Sequence, residues 1–570
     1  MKPRRAAAKP AVPQSELPFT PAAEPTVPAA EAPRPARLPA SSMALVKAVL
    51  QHPGKPLEAY RRAIAELLKV ACGRSDIEPL SNDRRFADPV WRESPFYQQL
   101  MQGHLAVARE IQHLAGELGL GPRDEARARM MFGLVTDMLA PTNTLWGNPA
   151  ALKRTLETGG RNLVTGSLQM FEDWRNNGGL PSSVDRDSFD VGETLALTPG
   201  DVVHRSELLE LIQYRPQTPT VHGTPLFIVP PQINKYYLWD LAPGRSLIEF
   251  LVQQGFQVYV VSWFNPSAAQ SDWGLENYVL ALEEAMEVAR SVSKASQLHL
   301  LGACSGGITA ATLGAHLAAQ GKDWVRSLTL LVAVLDVTAF ADSAMGSFMH
   351  LETLELARMM SGATGALEGQ DLAKVFAWLR PNELVWSYWV NNYLLGKKPP
   401  AFDILYWNSD TTRLPARLHA DFINLLETNG LARPGGVKMA GRSLDLRQLR
   451  CDSYILGGRT DHITPWEGCY RTRALLGGHS DFVLCSSGHV QSIVSPPGNP
   501  KASFLTGPQA DGTPEEFEAH ASATEGSWWP HLAEWLAGRS AARKRAPKAT
   551  GSRAHPAICP APGTYVRAAA

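Results

Sequence analysis

Residues 298–307 read LHLLGACSGG and lead directly into the helix-like segment ITAATLGAHLAAQG (308–321). A short apolar run, a turn of small residues and a helix are the parts of a nucleophile elbow, in which one strained residue projects its heteroatom above a sheet. Glycines permit so tight a turn because they have no side chain to collide. The N-terminus of the helix favours a thiolate and offers backbone N–H groups to an oxyanion.

Two registers of this elbow are open. Glycines at positions 302 and 306 flank Cys304, whereas the register centred on Ser305 has a glycine on only one side, at Gly307. The register with two glycines is favoured, so Cys304 is the expected nucleophile. The competing interpretation is a buried structural cysteine beside an ordinary turn, and the strand–turn–helix context argues against it.

Five other short runs are apolar and rich in β-branched residues, and each is followed by a turn and a helical pattern. They are TPLFIVPP (224–231), QVYVVSW (257–263), SLTLLVAVLD (327–336), DSYILGGRTD (452–461) and SDFVLCSSGH (480–489). Strands buried on both faces have this pattern, and their alternation with helices indicates a parallel sheet. Together with the elbow, the pattern predicts an α/β-hydrolase fold with a mostly parallel sheet.

The remaining chain is predicted to form a helical N-terminal domain and a cap. Apolar residues recur at helical spacing in LEAYRRAIAELLKVA (57–71) and MMFGLVTDMLA (130–140). About a hundred residues separate the fourth and fifth of the six runs, too many for a loop, which favours a cap domain inserted over the carboxyl ends of the strands. The expected division is a disordered Pro/Ala-rich arm (1–42), a helical domain (43–205), the first part of the core (206–336), the cap (337–451), the second part of the core (452–538) and a basic, disordered tail (539–570).

Composition excludes several classes of protein. The 570 residues include 55 Lys+Arg and 55 Asp+Glu, and this zero net charge argues against a nucleic-acid binder. Six cysteines are too few for a disulfide framework and have no zinc-site spacing, so no metal is expected. The N-terminus lacks the apolar core of a signal peptide, and the longest apolar run (328–335) is far short of the roughly 18 residues of a transmembrane helix. A cytoplasmic location is therefore expected.

The acid and the histidine of a triad should follow the nucleophile in the chain, at the carboxyl ends of later strands. Asp461 and His489 meet this condition because they end the fifth and sixth runs. Asp336, at the end of the fourth run, is the alternative acid, but the turn-rich segment around Asp461 favours the latter. His462 is the alternative histidine and is expected to be a structural hydrogen-bonding partner.

A second oxyanion donor is expected from the loop after the first run, PPQINKYY (230–237). In hydrolase folds this loop contributes a backbone N–H, here near Ile233. A rigid Pro-Pro turn packed under the cap is an equally good interpretation. The expected oxyanion or substrate-binding residues are Ser305, Ile233 and Asn234.

A cysteine nucleophile favours acyl transfer over hydrolysis. Its acyl-enzyme is a thioester, which can exchange with another thioester at nearly constant free energy and then acylate an alcohol downhill if water is excluded. A cap would provide that exclusion.

Several segments together resemble the polyhydroxyalkanoate synthases. They are GACSGG (302–307), VPPQINKYYLWDL (229–241), VSWFNP (261–266), AWLRPNELVWSYWVNNYLLG (377–396), GGRTDHITPW (457–466), SSGHVQSIVSPPGNPKA (486–502) and APGTYV (561–566). RFADPVWRESPFYQQL (85–100) and NLVTGSLQMFEDW (162–174) look like the N-terminal domain of that family. The elbow and FDILYWNSDTTRLP (402–415) are similar to its single-subunit, medium-chain-length class.

The resemblance implies that Cys304 carries the acyl group and the growing chain, and that His489 activates the Cys304 thiol. Asp461 would orient the histidine or assist deprotonation of the incoming 3-hydroxyl. The implied substrates are (R)-3-hydroxyacyl-CoA thioesters, and the products are a polyester and free coenzyme A. The resemblance also implies that the protein works at the surface of cytoplasmic polyester granules, beside granule proteins. It implies a homodimer and no metal or cofactor.

Two other functions remain open from the sequence. A thioesterase or depolymerase would share the fold and the triad but deliver the acyl group to water. A granule-binding structural protein with a degenerate hydrolase fold is disfavoured, because Cys304, Asp461 and His489 are all present in the required order.

Overall fold

A computed structural model of the chain describes residues 40–340, 346, 351–507 and 512–568. The arm predicted over residues 1–42 lies almost entirely outside these residues. The strands are β1 (Gly200–Arg205), β2 (Leu209–Tyr214), β3 (Thr220–Val221), β4 (Leu226–Val229), β5 (Val258–Trp263), β6 (Leu298–Ala303), β7 (Val325–Leu331), β8 (Ala366–Leu367), β9 (Leu414–Pro415), β10 (Lys438–Met439), β11 (Arg442–Ser443), β12 (Asp452–Gly458), β13 (Ser480–Cys485), β14 (Ser503–Thr506), β15 (Ser522–Glu525), β16 (Lys544–Arg545) and β17 (Cys559–Pro560).

Eleven of these strands form one sheet in the order β15-β14-β13-β12-β7-β6-β4-β5-β2-β1-β17. The six strands from β13 to β5 pair in parallel, and antiparallel strands extend both edges. These six strands are the six predicted runs, so the predicted α/β fold with a mostly parallel sheet is confirmed. The antiparallel edge strands were not predicted.

The parallel strands are continuously apolar because both faces of the sheet are covered. In β5, Tyr259, Val261 and Trp263 pack into one hydrophobic core, whereas Val258 and Val260 pack into a second core on the opposite face. This alternation follows from the two-residue period of a strand.

The helices of the described residues comprise seven that precede the first strand in the chain and later ones that follow or alternate with the strands. They are α1 (Ala40–Gln51), α2 (Gly54–Ala71), α3 (Val90–Glu93), α4 (Pro95–Glu117), α5 (Pro122–Met138), α6 (Pro149–Thr158), α7 (Arg161–Asn176), α8 (Leu247–Gln253), α9 (Leu275–Ser293), α10 (Cys304–Ala319), α11 (Leu351–Thr364), α12 (Gly369–Leu379), α13 (Asp403–Ser409), α14 (Ala416–Thr428), α15 (Trp466–Arg471), α16 (His489–Ile493), α17 (Pro514–His520) and α18 (Trp529–Arg539). Among the described helices, none is both long and apolar enough to cross a membrane.

Helices α1 to α7 confirm the predicted helical N-terminal region. A small separate core at α3 and α4 contains Phe86, Trp91 and Met101. Helix α7 also packs on the segment between β7 and β12, where the Asn162 amide donates to the Leu394 carbonyl at 2.7 Å. That segment contains α11 to α14 and two π-helical turns, Asn382–Trp386 and Trp389–Leu394. The division of the chain into domains stays a prediction.

The prediction of a disordered tail is wrong for residues 541–568. Strand β16 pairs with β3, and β17 pairs with β1 at the edge of the central sheet. A physical reason is the buried carboxylate of Glu210 on β2: Arg205 pairs with its Oε1, but its Oε2 would be costly to bury without partners from the tail. The backbone N–H groups of Thr564 and Tyr565 donate to it at 2.9 and 3.0 Å. Periodicity along the tail could not reveal a partner some 350 residues away in sequence.

Candidate active site

The turn between β6 and α10 places Cys304 at the carboxyl edge of the sheet. Its φ is +50°, in the left-handed region that residues with a side chain rarely adopt. A Cβ on Gly302 would lie 2.6 Å from the Gly306 carbonyl oxygen, and one on Gly306 would lie 2.5 Å from that of Pro230. The turn therefore requires both glycines of the register centred on Cys304, which is partly accessible. The Ser305 hydroxyl is buried and has no hydrogen-bond partner among the described residues.

Asp461 and His489 meet at the carboxyl ends of β12 and β13. The distance between His489 Nδ1 and Asp461 Oδ2 is 2.7 Å, and the Asp461 side chain is fully buried. The backbone N–H groups of Ile463 and Thr464 donate to Asp461 Oδ1 at 2.8 and 3.0 Å. Burial opposes the charged carboxylate, but the His489 charge and these hydrogen bonds hold the pKa of Asp461 below its ordinary value.

The imidazole of His489 is hydrogen-bonded to Asp461, and Cys304 is near enough to the ring to influence its pKa. Burial disfavours the charged ring, but the Asp461 carboxylate, which is hydrogen-bonded to it, and the neighbouring Cys304 outweigh that effect and raise the pKa of His489 to about 10. Because Asp461 occupies Nδ1, the nitrogen Nε2 is left for Cys304. An arrangement of this kind can remove a proton from the thiol and return it to a leaving group.

Asp336, the alternative acid, does not contact this histidine. Its carboxylate accepts hydrogen bonds from the Thr338 N–H and hydroxyl at 3.0 and 2.7 Å and from the Asn429 amide at 2.9 Å. It therefore begins the short helical turn Val337–Phe340, as the residue before such a turn often does.

His462 was expected to be a structural hydrogen-bonding partner. Its Nδ1 is buried without a partner in the described part of the chain, so the expectation fails at that atom. Burial lowers the pKa of His462, which favours the neutral ring.

The loop 230–235 lies beside the elbow. The Gln232 amide donates to the Thr309 hydroxyl of α10 at 2.9 Å, and the Ile233 carbonyl accepts from the Thr412 N–H at 2.9 Å. Asn234 forms an isolated antiparallel bridge with Thr411. Within the described ranges, the Ile233 N–H has no hydrogen-bond acceptor. As the second residue of α10, Ser305 likewise carries an N–H without an intrahelical acceptor.

Sequence reasoning missed Thr464. Its hydroxyl lies 2.7 Å from Asp461 Oδ2 and 3.1 Å from His489 Nδ1, so it contacts both members of the pair. The signal was present in the sequence, because Asp-x-x-Thr after a strand is typical of a turn in which the aspartate accepts from the following backbone.

Comparison with known proteins gives two family matches. Residues 82–251 match the family model described as "Poly-beta-hydroxybutyrate polymerase (PhaC) N-terminus", and residues 222–496 match "alpha/beta hydrolase fold".

Three curated relatives align over most of this chain. Poly(3-hydroxyalkanoate) polymerase 1 of Ectopseudomonas oleovorans is 48% identical over 501 residues, which cover 88% of this chain and 89% of that protein. Polymerase 2 of the same organism is 44% identical over 93% of this chain and 98% of its own length. The poly(3-hydroxyalkanoate) polymerase subunit PhaC of Cupriavidus necator is 38% identical over 90% of this chain and 87% of that protein.

Proposed function

Since the chain belongs to the poly(3-hydroxyalkanoate) polymerases, acyltransferases that here adopt an α/β-hydrolase fold, we propose that it polymerises (R)-3-hydroxyacyl-CoA through a thioester on Cys304. His489 and Asp461 complete the proposed triad. The resemblance to the medium-chain-length synthases is confirmed by the matches over most of the chain, and medium-length acyl groups are the proposed substrates.

The observation that carries this proposal is the hydrogen bond between His489 and Asp461 at the same edge of the sheet as the strained Cys304, which is near enough to His489 to influence its pKa. In the proposed resting enzyme the thiol proton already lies on His489, as its raised pKa favours, and in the first step the Cys304 sulfur attacks the thioester carbonyl of the substrate. The backbone N–H groups of Ser305 and Ile233 stabilise the oxyanion. The C–S bond to coenzyme A breaks, and the departing thiolate takes the proton from His489.

In the second step the 3-hydroxyl of the next hydroxyacyl-CoA attacks the Cys304 thioester and gives its proton to His489. An ester bond forms and the bond from carbon to the Cys304 sulfur breaks, so the sulfur is free to receive the lengthened chain with loss of coenzyme A. The 2.7 Å contact with Nδ1 favours an orienting role for Asp461 over direct deprotonation of the hydroxyl.

We propose that the protein works as a homodimer at the surface of cytoplasmic polyester granules, beside granule proteins. Helix α7 supports contact with an apolar surface, because it exposes Leu168, Phe171 and Trp174 by 67%, 61% and 71%.

Purified protein incubated with 3-hydroxybutyryl-, 3-hydroxyhexanoyl- and 3-hydroxydecanoyl-CoA tests the proposal. We expect release of coenzyme A, an insoluble polyester and a covalent acyl label, all abolished by Cys304→Ala. Ser305→Ala keeps the backbone N–H and should still be labelled. Free hydroxy acid without polymer would establish a thioesterase or depolymerase instead, and no coenzyme A release from any substrate would leave a structural role.

A further inference from the structure

The loop 230–235, which carries the proposed oxyanion donor at Ile233, is fixed by hydrogen bonds to its carbonyl groups. The Trp263 indole donates to the Pro230 carbonyl at 2.9 Å, and the Trp407 indole donates to the Lys235 carbonyl at 2.7 Å. These bonds hold the main chain of the loop to the sheet and to α13. Neither bond involves the side chain of Lys235.

Lys235 is only 4% exposed, although lysine is rarely buried without a partner. Its Nζ donates to the carbonyl oxygen of Ala568, in the C-terminal tail, at 2.6 Å. Burial lowers the pKa of the Lys235 ammonium, and the charges that act on it are those of Asp410 and Arg413. Since a buried donor without an acceptor is costly, the Ala568 carbonyl determines where this side chain can stay.

The end of the tail is itself held in place. The Tyr565 hydroxyl donates to the Ser206 carbonyl at 2.7 Å, and the Tyr565 ring packs edge-to-face on Phe264. Val566, two residues before Ala568, is buried in the core beneath the sheet. The acceptor that Lys235 uses is therefore fixed relative to the sheet and to the elbow.

We propose that Lys235 is a positioning residue, which ties the oxyanion loop to the C-terminal tail and thereby holds the Ile233 N–H in its reactive place. This inference rests on the proposed function. Ile233 lies two residues before Lys235, and in the described part of the chain its N–H has no acceptor that would fix it, so we expect a shift of the lysine to reach this donor. Because the oxyanion forms only during reaction, release of the loop should slow acylation more than it weakens substrate binding.

Lys235→Met tests the proposal because it keeps the length of the side chain and removes the donor. We expect kcat for coenzyme A release from 3-hydroxydecanoyl-CoA to fall about 10- to 100-fold, with KM changed less than about threefold. Alkylation of Cys304 by iodoacetamide should keep its wild-type rate, because thiol activation by His489 does not use this loop. Hydrogen exchange should rise together in residues 230–237 and 561–568.

Lys544→Met is the matched control. Lys544 lies in the tail, is partly buried and, like Lys235, donates to a backbone carbonyl, here that of Ser293 at 2.5 Å. Unlike Lys235, it is not part of the loop 230–235. We expect a kcat within about twofold of wild type, because its loss affects stability and leaves the oxyanion donor in place.

Equal losses in the two methionine variants, or a kcat for folded Lys235→Met within twofold of wild type, would overturn the proposal. If Lys235→Met does not fold, Lys235→Arg decides, because it keeps a donor for Ala568 and should retain more than about a third of the wild-type kcat. A folded arginine variant that has lost tenfold or more in kcat without increased exchange in residues 561–568 would also overturn it. Failure of wild-type protein to release coenzyme A would instead reject the proposed function.

Discussion

The Nδ1 atom of His489 lies 2.7 Å from Oδ2 of Asp461, and that carboxylate also accepts from two backbone N–H groups and the Thr464 hydroxyl. So many donors fix the carboxylate, and the carboxylate in turn fixes the plane and tautomer of the imidazole. In the proposed mechanism this leaves the ring oriented for Cys304 before substrate arrives and reduces the reorganisation that the reaction needs.

Asp461→Asn should slow polymer elongation strongly, whereas Asp336→Asn should leave it near the wild-type rate. The amide can present its N–H₂ to His489 and favour the wrong tautomer, a change that costs several orders of magnitude in related triads. Within the described residues Asp336 hydrogen-bonds Thr338 and Asn429 and not His489, so its loss affects a helical turn. Steady-state coenzyme A release measures both rates, and the reverse ranking would assign the acid to Asp336.

The raised pKa of His489 predicts a pH dependence of stability. Because the folded-state pKa is about 10 and the ordinary value is 6.5, the charged ring stabilises the fold fully below about pH 6.5, and this stabilisation is lost as pH rises toward 10. Asp461 behaves in the opposite way, since its lowered pKa gives stability that is lost as pH falls below its ordinary value of 3.8.

Denaturant unfolding of wild type and His489→Gln between pH 6 and pH 10 checks this dependence. The difference in unfolding free energy should be largest at the acid end of that range and should shrink toward pH 10. A difference independent of pH would show that the ring is not charged in the folded protein.

Gly306→Ala should destabilise the elbow by about 2 kcal/mol or more. The new Cβ would lie 2.5 Å from the Pro230 carbonyl oxygen, and backbone cannot move aside as a flexible side chain can. The loop that carries Ile233 would be displaced with it, so activity should fall as well. Thermal unfolding and coenzyme A release measure the two effects.

Gly362→Ala is the control for that substitution. A Cβ at Gly362 meets no atom within 4 Å, and the residue lies in helix α11. Alanine should therefore stabilise the protein by about 0.5–1 kcal/mol through its better helix propensity. Similar unfolding temperatures for both variants would contradict the packing argument.

The six parallel strands could be predicted because burial on both faces makes each of them a continuous apolar run. Strand β2 was missed although all its residues are buried, since Glu210 and Gln213 interrupt the apolar pattern. Their partners, Thr564 and the N–H of Gly551, lie in the tail. Long-range pairing of this kind has no local signature in a single sequence.

The meeting of Asp461 with His489 follows from chain order and strand ends, which a sequence does reveal. The catalytic roles of these residues and of Cys304 stay predictions. Lys235 could not be identified, because its importance depends on a carbonyl of the tail, and any residue type can supply a carbonyl. Sequence patterns thus locate side chains that do chemistry better than the backbone atoms that position them.

Thr464→Val should lower kcat about 3- to 10-fold and leave KM nearly unchanged. Valine has the shape of threonine and keeps the N–H that donates to Asp461 Oδ1, but it removes the hydroxyl 2.7 Å from Oδ2. A hydrogen bond to a charged group contributes about 1.5–3 kcal/mol, and the packing of the valine side chain replaces only part of that contribution. Without it the carboxylate can rotate, and the His489 ring loses part of its fixed orientation.

Thr464→Ser is the matched variant, because it keeps the hydroxyl and removes only a methyl group. Its kcat should stay within about twofold of wild type, while its stability falls by roughly 1 kcal/mol for the lost buried methyl. The two substitutions therefore separate orientation of the catalytic pair from packing. A serine variant as slow as the valine variant would mean that the methyl group, and not the hydroxyl, holds Asp461 and His489 in place.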